Sequence, residues 1–487
     1  MLDKIKETGI YFIGTTGVAI ISFIISLLYT RMFTTGDYGY YSLIAALYSL
    51  LFQLFTGWMT HSILRYFPEE NDRDGAMHFR STMFFIHLFL CGIFALIMLI
   101  CTIIYNKTPV LYEMLLIYIG VFLFEGLIQI FNTFLRAEGN SKQYSFNTVV
   151  NSLLKSASII LLYYLFRFKS IVVIVVSLLL SELIQCIYLF AKFKWYKIIR
   201  LTAFEYRLAK KVIAFGYPLI GVSVIFNILT YSDRYIINLF HTKSDVGLYS
   251  YGYNMGYALF YTLTNAIMLG AYPKIVAEWQ KNGRKSTEAL IKTYLNLYFY
   301  IMVPATMGVI AIGKTMIQCL CGENYWESAT VFIITCISYA LFGFLQYTNK
   351  AWELTAKTQM ILYLNIGSAI LNVVLNFIFI PSYCYAVAAV TTLCSFLVYI
   401  ICSLILSKSI ITFRVDVISL LKIIMASIVM SVLVKLIDYN CPRGISTLVF
   451  EILAAVIIYI LVLLATREKM TVGLIYRLRK IGREKKH

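Results

Sequence analysis

YSDRYIINLFHTKSDVGLYS, residues 231–250, closes one apolar segment and opens the next. An Asp-Arg pair sits inside the first segment, and an Asp-Val-Gly-Leu-Tyr-Ser turn begins the second. Far upstream the chain does nearly the same thing with TRMFTTGDYGYYS, residues 30–42. Gly247 minus Gly39 is 208, and Arg234 minus Arg31 is 203. The segments that follow the two turns end in RYFPEE (65–70) and AYPKIVAE (271–278), where Pro273 minus Pro68 is 205. Three landmarks in one order at nearly one offset predict a duplicated unit.

Composition says what kind of unit is duplicated. Of 487 residues 60% are hydrophobic and 14% charged, with a mean hydropathy of +0.79, whereas soluble domains carry about 25% charged residues. Continuous apolar runs at 10–29, 84–104 and 171–187 approach or exceed the roughly 20 residues that cross a bilayer as a helix. They do not alternate, which argues against barrel strands. The expected fold is an all-α polytopic membrane protein of about 14 transmembrane helices. The spans fall near 10–29, 39–61, 81–105, 111–134, 146–166, 171–191, 216–240, 247–272, 293–313, 329–348, 359–380, 385–406, 419–437 and 446–466. The first run lacks a small-residue cleavage site and reads as a spanning helix, not a removed signal peptide.

Charge orients the spans. Of the 42 Lys and Arg, 32 fall on or near the side of the termini and 8 on or near the other, counting Lys422 and Lys435 with the nearer ends of their span, which leaves Lys155 and Arg234 deep inside spans. That bias places both termini in the cytoplasm, and it accounts for most of the +18 net charge without nucleic acid. A basic segment at 192–215 divides the chain into two six-helix lobes, 1–191 and 216–406, followed by two further transmembrane helices (407–466) and a basic tail (467–487). Because six is even, the pseudo-symmetric lobes run in the same sense, about an axis along the membrane normal. The tail spaces Ile475, Leu478 and Ile481 for a helix resting on anionic headgroups.

An enzyme is not expected. The five His do not cluster, no Gly-rich phosphate loop occurs, and no acidic pair sits at metal spacing. The ten Cys are scattered through apolar runs, and Cys319 and Cys321 read as small apolar filler, so no metal or cofactor is expected. The spans do carry polar residues at helical spacing. Ser42, Ser49, Gln53, Thr56 and Thr60 share one face of the second span; Ser223, Asn227, Tyr231, Arg234 and Asn238 one face of the seventh. Thr15, Ser22, Ser26 and Tyr29 lie together in the first, Asn147, Asn151, Lys155 and Ser158 in the fifth, Asn254, Tyr257, Tyr261 and Asn265 in the eighth, and Asn365, Ser368, Asn372 and Asn376 in the eleventh. Such stripes serve either as helix–helix glue or as the wall of a hydrated cavity. Their pairing across the two halves favours the cavity.

Charges within spans sharpen the choice, since a central Lys, Arg or Asp costs about 2.5–3.5 kcal/mol on insertion scales. The candidates are Glu125, Lys155, Glu182, Asp233 and Arg234, with Arg31 and Arg65 at span ends. Glu125 and Glu182 do not repeat in the other half and read as structural. Cations facing a wet cavity imply an anionic passenger, and the Arg fork suits phosphate. The candidate binding set is Arg31, Arg65, Lys155, Asn227, Tyr231, Asp233, Arg234 and Asn254.

Several short motifs carry a family resemblance over nearly the whole chain: Gly36-Asp37-Tyr38-Gly39-Tyr40-Tyr41-Ser42, Leu64-Arg65-Tyr66-Phe67-Pro68, Arg136-Ala137-Glu138-Gly139, Phe215-Gly216-Tyr217-Pro218, and Ser232-Asp233-Arg234 with Val246-Gly247-Leu248-Tyr249-Ser250. In their order and spacing the chain resembles polysaccharide-biosynthesis membrane proteins of the Wzx type, in the superfamily that also holds the multidrug-and-toxin extruders. It departs from that pattern at Pro381-Ser382-Tyr383-Cys384-Tyr385-Ala386-Val387, where two customary glycines are replaced. The resemblance implies a flippase that moves a polyprenyl-diphosphate-linked oligosaccharide by alternating access of two lobes, for a surface polymer such as O-antigen or capsule. Its implied partners are that lipid-linked sugar and the membrane lipids, with a proton or sodium left open as coupling ion. A cationic-drug antiporter on the same fold and a membrane polysaccharide polymerase are the competing readings; the first should favour acidic cavity residues, and the second a large external loop, which the sequence lacks.

Overall fold

The computed structural model describes residues 2–69, 73–104 and 109–472, with side chains at 14, 16–69, 74–103, 109–217, 220–221 and 224–472. The side chains of Thr15 and Ser223 and the tail positions Ile475, Leu478 and Ile481 lie outside the described residues. In chain order the helices are α1 (Leu2–Met32), α2 (Thr35–Tyr66), α3 (Arg73–Ile104), α4 (Pro109–Ala137), α5 (Ser141–Ile160), α6 (Val173–Lys192), α7 (Trp195–Ile198), α8 (Tyr206–Phe240), α9 (Lys243–Leu320), α10 (Ala329–Thr348), α11 (Lys350–Leu354), α12 (Thr358–Phe379), α13 (Val387–Ser407), α14 (Val417–Asn440) and α15 (Ile445–Ala465). No strand occurs among the described residues.

Among the described residues, eleven helical stretches are long and apolar enough to cross a membrane. Three more spans complete the expected fourteen: Thr16–Met32 within α1, α8, and the second half of α9. Helix α9 is two spans read through. Its backbone leaves helical geometry at Gly283 (φ 70°, ψ −163°), a left-handed position that suits glycine. The turn therefore needs almost no loop, and both spans run on well past the apolar region.

The chain forms two compact units, 1–247 and 248–487. In the first, α2 packs along α8, α1 on α5, and α4 against α2, α3 and α6. Helices α2 and α8 run antiparallel over their whole length. Ser62 Oγ donates to the Val212 carbonyl (2.9 Å), Ser49 Oγ to Asn227 Oδ1 (3.3 Å), and Tyr235 Oη to the Leu43 carbonyl (2.8 Å). Trp58, Met59, Ile63, Phe131, Phe134 and Val212 form an apolar core at one end of this unit, into which α7 inserts Trp195. The basic segment at 192–215 is thus docked: the Glu205 amide donates to Thr82 Oγ1 (3.0 Å), and His78 Nδ1 lies 2.9 Å from the Ala203 carbonyl. Its last turns already belong to α8.

The repeat seen in the sequence has a physical cause. Thr34 caps α2, its Oγ1 accepting from the Asp37 amide (3.2 Å) and donating to Asp37 Oδ2 (2.7 Å). Thr242 does the same for α9 with Asp245, at 3.2 and 2.7 Å. The two turns meet: Thr35 and Ser244 share a hydroxyl hydrogen bond. A Cβ on Gly39 would strike the Lys243 carbonyl, and one on Gly247 the Thr35 carbonyl. Lys243 minus Thr35 is again 208, so the contact is reciprocal about a local two-fold. Both glycines are needed for the same close approach of backbones.

In the second unit α10 and α12 pack on α13, and α14 pairs with α15. Met430, Val434, Tyr459 and Leu463 from this last pair form a core with Ala311 and Ile312 of α9. Tyr459 Oη donates to the Tyr300 carbonyl (2.8 Å). Between them lies an apolar cavity of about 430 Å³, lined in part by Tyr300, Pro304, Gly308, Met430, Ile452 and Val456.

Candidate functional site

The last turns of α8 carry the tightest charged group. Asp233 and Arg234 are both buried, at 0% and 2% exposure, in a segment expected to cross a membrane. The Arg234 guanidinium lies over the Tyr231 ring, 4.7 Å from its centroid, as residues three apart on one helix face must. The antiparallel register sets this pair beside the first turns of α2, and Tyr41 there lies within electrostatic range of Arg234, Tyr231 and Glu125. One turn and more toward the middle of α8, Asn227 is held by Ser49. Arg234, Tyr231 and Asn227 therefore share one stripe of α8 that faces α2.

A second group sits deeper in the same unit. Glu125 of α4, Lys155 of α5 and Glu182 of α6 interact electrostatically with one another. Tyr48 of α2 donates to Glu125 Oε2, and its ring stacks on Tyr118 at 4.3 Å. Glu182 is 5% exposed and its Oε2 has no hydrogen-bond partner among the described residues. Lys155 lies within electrostatic range of both acids without an ion pair inside 4 Å, so it offsets only part of the desolvation of each. From this triad a polar ladder leads to the end of α6. Asn151 donates to Gln185. Gln185 Nε2 donates to the Asn147 carbonyl (2.7 Å), Asn147 Nδ2 to Asn132 (3.2 Å), Gln143 Nε2 to Asn147 Oδ1 (2.7 Å), and Lys192 Nζ to Gln143 Oε1 (2.8 Å).

The candidate set thus divides. Arg234, Asp233, Tyr231 and Asn227 come together on α8. Lys155 belongs to the deeper triad. Arg31, exposed at the end of α1, and Arg65, at the far end of α2, stand at opposite ends of a 32-residue helix, roughly 45 Å apart at 1.5 Å per residue. They cannot share one small ligand. Arg65 pairs with Glu69 (3.7 Å), which Lys211 also approaches (3.6 Å). Asn254 lies in the second unit, half-buried on α9.

Two expected cavity stripes are helix glue instead. Asn147 and Asn151 spend their amides on α4 and α6, as above. Asn372 Nδ2 donates to Thr392 Oγ1 (3.2 Å), Asn376 Nδ2 to Asn372 Oδ1 (3.2 Å), and Ser368 Oγ to the Ser395 carbonyl (3.1 Å), all in the α12–α13 interface. A buried amide needs partners, and the adjoining helix supplies them at no cost in solvation. What sequence reasoning undervalued was Glu125 and Glu182. The signal was present: three ionisable residues near mid-span in three consecutive helices.

A bundle of fourteen spans with an internal repeat and buried charge in its helices is the architecture of a membrane transporter. The solved structures agree on the fold. Lipid II flippase MurJ in an inward closed conformation superposes with a TM-score of 0.74 at 15% identity, over 96% of this chain and 98% of that one. An inward-facing multidrug resistance MATE family transporter of the MOP superfamily gives 0.65 at 14% identity, over 80% and 94%. Among curated proteins, the probable low-salt glycan biosynthesis flippase Agl15 of Haloferax volcanii is 24% identical over 170 residues, which is 35% of this chain and 36% of that protein. The alignment therefore spans about a third of that relative. The polysaccharide biosynthesis protein family matches residues 28–331. The chain belongs to that family.

Proposed function

We propose that this protein is a flippase that carries a polyprenyl-diphosphate-linked oligosaccharide across the cytoplasmic membrane by alternating access, in the synthesis of a surface polysaccharide. The observation that carries this reading is the family match over 28–331, which contains every candidate site residue from Arg31 to Asn254. The likeness of fold to a lipid II flippase is consistent with it. The lobes that move are the repeated halves 1–191 and 216–406, and both termini are cytoplasmic.

Within that reading Arg234 is the diphosphate ligand, since a guanidinium can donate two parallel hydrogen bonds to phosphate oxygens. It is 2% exposed in this conformation, so the substrate would reach it only when the helices around α8 part. Alternating access supplies that opening. The apolar cavity beside α14 and α15 suits a stretch of the isoprenoid chain, because burying each CH₂ is worth about 0.8 kcal/mol. The motion requires no covalent step. The test is a leaflet-accessibility assay in vesicles holding the purified protein and a defined lipid-linked sugar. Wild type should move the sugar and Arg234→Ala should not, at equal protein abundance. Export of a cationic dye with no sugar movement would favour a drug antiporter instead.

A further inference from the structure

A second cavity, of about 610 Å³, lies in the second unit, within the roughly 300–1,000 Å³ usual for ligand sites. It is walled by the end of α9, the short 3-10 turn Glu323–Ser328, the first turn of α10 and the residues that lead into α13. With the termini in the cytoplasm, all of these fall at the outer surface. Two buried polar atoms on its lining residues have no hydrogen-bond partner among the described residues: Gln318 Oε1, an acceptor, and Trp326 Nε1, a donor. A buried donor and a buried acceptor are costly to leave unmet; neither atom opens onto the cavity in this conformation, and a ligand hydroxyl can answer either one once its side chain turns toward the cavity. The Trp326 and Tyr385 rings also line the cavity, and Tyr385 Oη donates to the Glu327 carbonyl (3.3 Å), tying the turn before α13 to the 3-10 turn. Lys314 and Thr330 stand exposed at the rim.

Apolar ring faces beside unmet donors and acceptors match one kind of ligand. A pyranose ring presents a C–H face to an aromatic ring and hydroxyls around its edge. We propose that this pocket is an outer sugar-binding site, which takes one sugar unit of the glycan as the headgroup emerges. It would bias release outward by holding the glycan after the lobes open. Which sugar arrives there rests on the flippase reading; the pocket's affinity for sugar does not.

The pocket contains its own reporter. Cys384 lines it and is the one exposed cysteine of the ten, all of which lie among the described residues. Purified full-length protein would be labelled with a charged maleimide in the presence of glucose, galactose, N-acetylglucosamine or glucuronic acid, each tested singly, with glycerol as control. At least one sugar should slow labelling of Cys384 where glycerol does not. Trp326→Phe removes the donor and keeps a ring; Gln318→Leu removes the acceptor. Each should weaken protection about tenfold, the loss of one good hydrogen bond. Thr330→Val, at an exposed position, gives a variant with little risk to folding and should weaken it less. Absence of protection by all four sugars, or equal protection in wild type, Trp326→Phe and Gln318→Leu, would overturn the proposal. A wild type that protects Cys384 yet moves no lipid-linked sugar in vesicles would sink the flippase reading and leave the pocket standing. Transport without protection would do the reverse.

Discussion

Replacing Gly39 by Ala tests whether the repeated turns hold the fold through a contact of backbones. The added Cβ would meet the Lys243 carbonyl, which is main chain and cannot swing aside. The start of α2 must then move away from the start of α9. Overpacking of this kind costs about 1–3 kcal/mol. Gly36→Ala is the internal control: it lies in the same turn, and its Cβ would find only Thr34 Oγ1, at 4.0 Å. By the local two-fold, Gly247→Ala should cost as much as Gly39→Ala, since it meets the Thr35 carbonyl. The double variant should cost less than the sum, because one separation of the turns relieves both clashes. Thermal unfolding of purified protein in detergent measures all four. If the seam closes in only one of two transport conformations, about 2 kcal/mol there shifts their ratio roughly 30-fold, and transport falls beyond what lost abundance explains. Equal melting of Gly36→Ala and Gly39→Ala would refute the reasoning.

In the deeper group, Lys155→Met should destabilise the protein by about 3–5 kcal/mol, as removal of one partner from a buried charged set does; combining it with Glu125→Gln and Glu182→Gln should restore much of the loss in the same unfolding assay. Arg234→Lys should keep a minor part of transport in vesicles where Arg234→Ala keeps none, because a point charge lacks the planar fork. Near the Gly283 turn, burial works against the Glu288 carboxylate, but hydrogen bonds from Arg284 (2.8 Å) and the Thr412 amide (2.9 Å) hold its pKa below the usual value. A depressed folded pKa gives stability that is present above the unfolded value, about 4.3, and lost as pH falls through the folded one. Exchange at the Thr412 amide, corrected for intrinsic rate, should therefore stay slow at neutral pH and quicken only below about pH 4, whereas Glu288→Gln should quicken it throughout.

Much of the fold was legible because membrane spans are set by length and apolarity, and because the repeat is written in turn residues. Thr34, Asp37 and Gly39 recur as Thr242, Asp245 and Gly247, and each does the same work in both places. The partner of a polar stripe was not legible. Asn147 and Arg234 look alike by spacing, yet Asn147 bonds to Asn132 and Gln143 inside its own unit while Arg234 lies over Tyr231 beside α2. Helical period tells which residues share a face but not which helix that face meets. The same gap hid the triad. Glu125, Lys155 and Glu182 occupy three successive helices, and only the packing of α4 and α5 on α6 brings them together.

That packing separates two uses of polarity within the first compact unit. The Asn–Gln ladder of α4, α5 and α6 is hydrogen-bonded along its length, so it gains nothing from a ligand and resists separation of those helices. The α2–α8 seam is built differently. Beyond Asn227 it carries hydroxyl bonds to main-chain carbonyls at Ser62 and Tyr235, each worth about 0.5–1.5 kcal/mol net, and apolar packing at one end, where Trp58, Met59 and Ile63 meet Val212 and the Tyr66 and Phe215 rings lie 5.3 Å apart. Parting α2 from α8 would expose apolar surface and break a few hydroxyl bonds, whereas parting α4, α5 and α6 would leave buried amides unmet. The seam also carries the buried Arg234, which lies over the Tyr231 ring. If α4, α5 and α6 move as a unit against that seam, Arg234 on α8 is the residue whose substitution should stop transport.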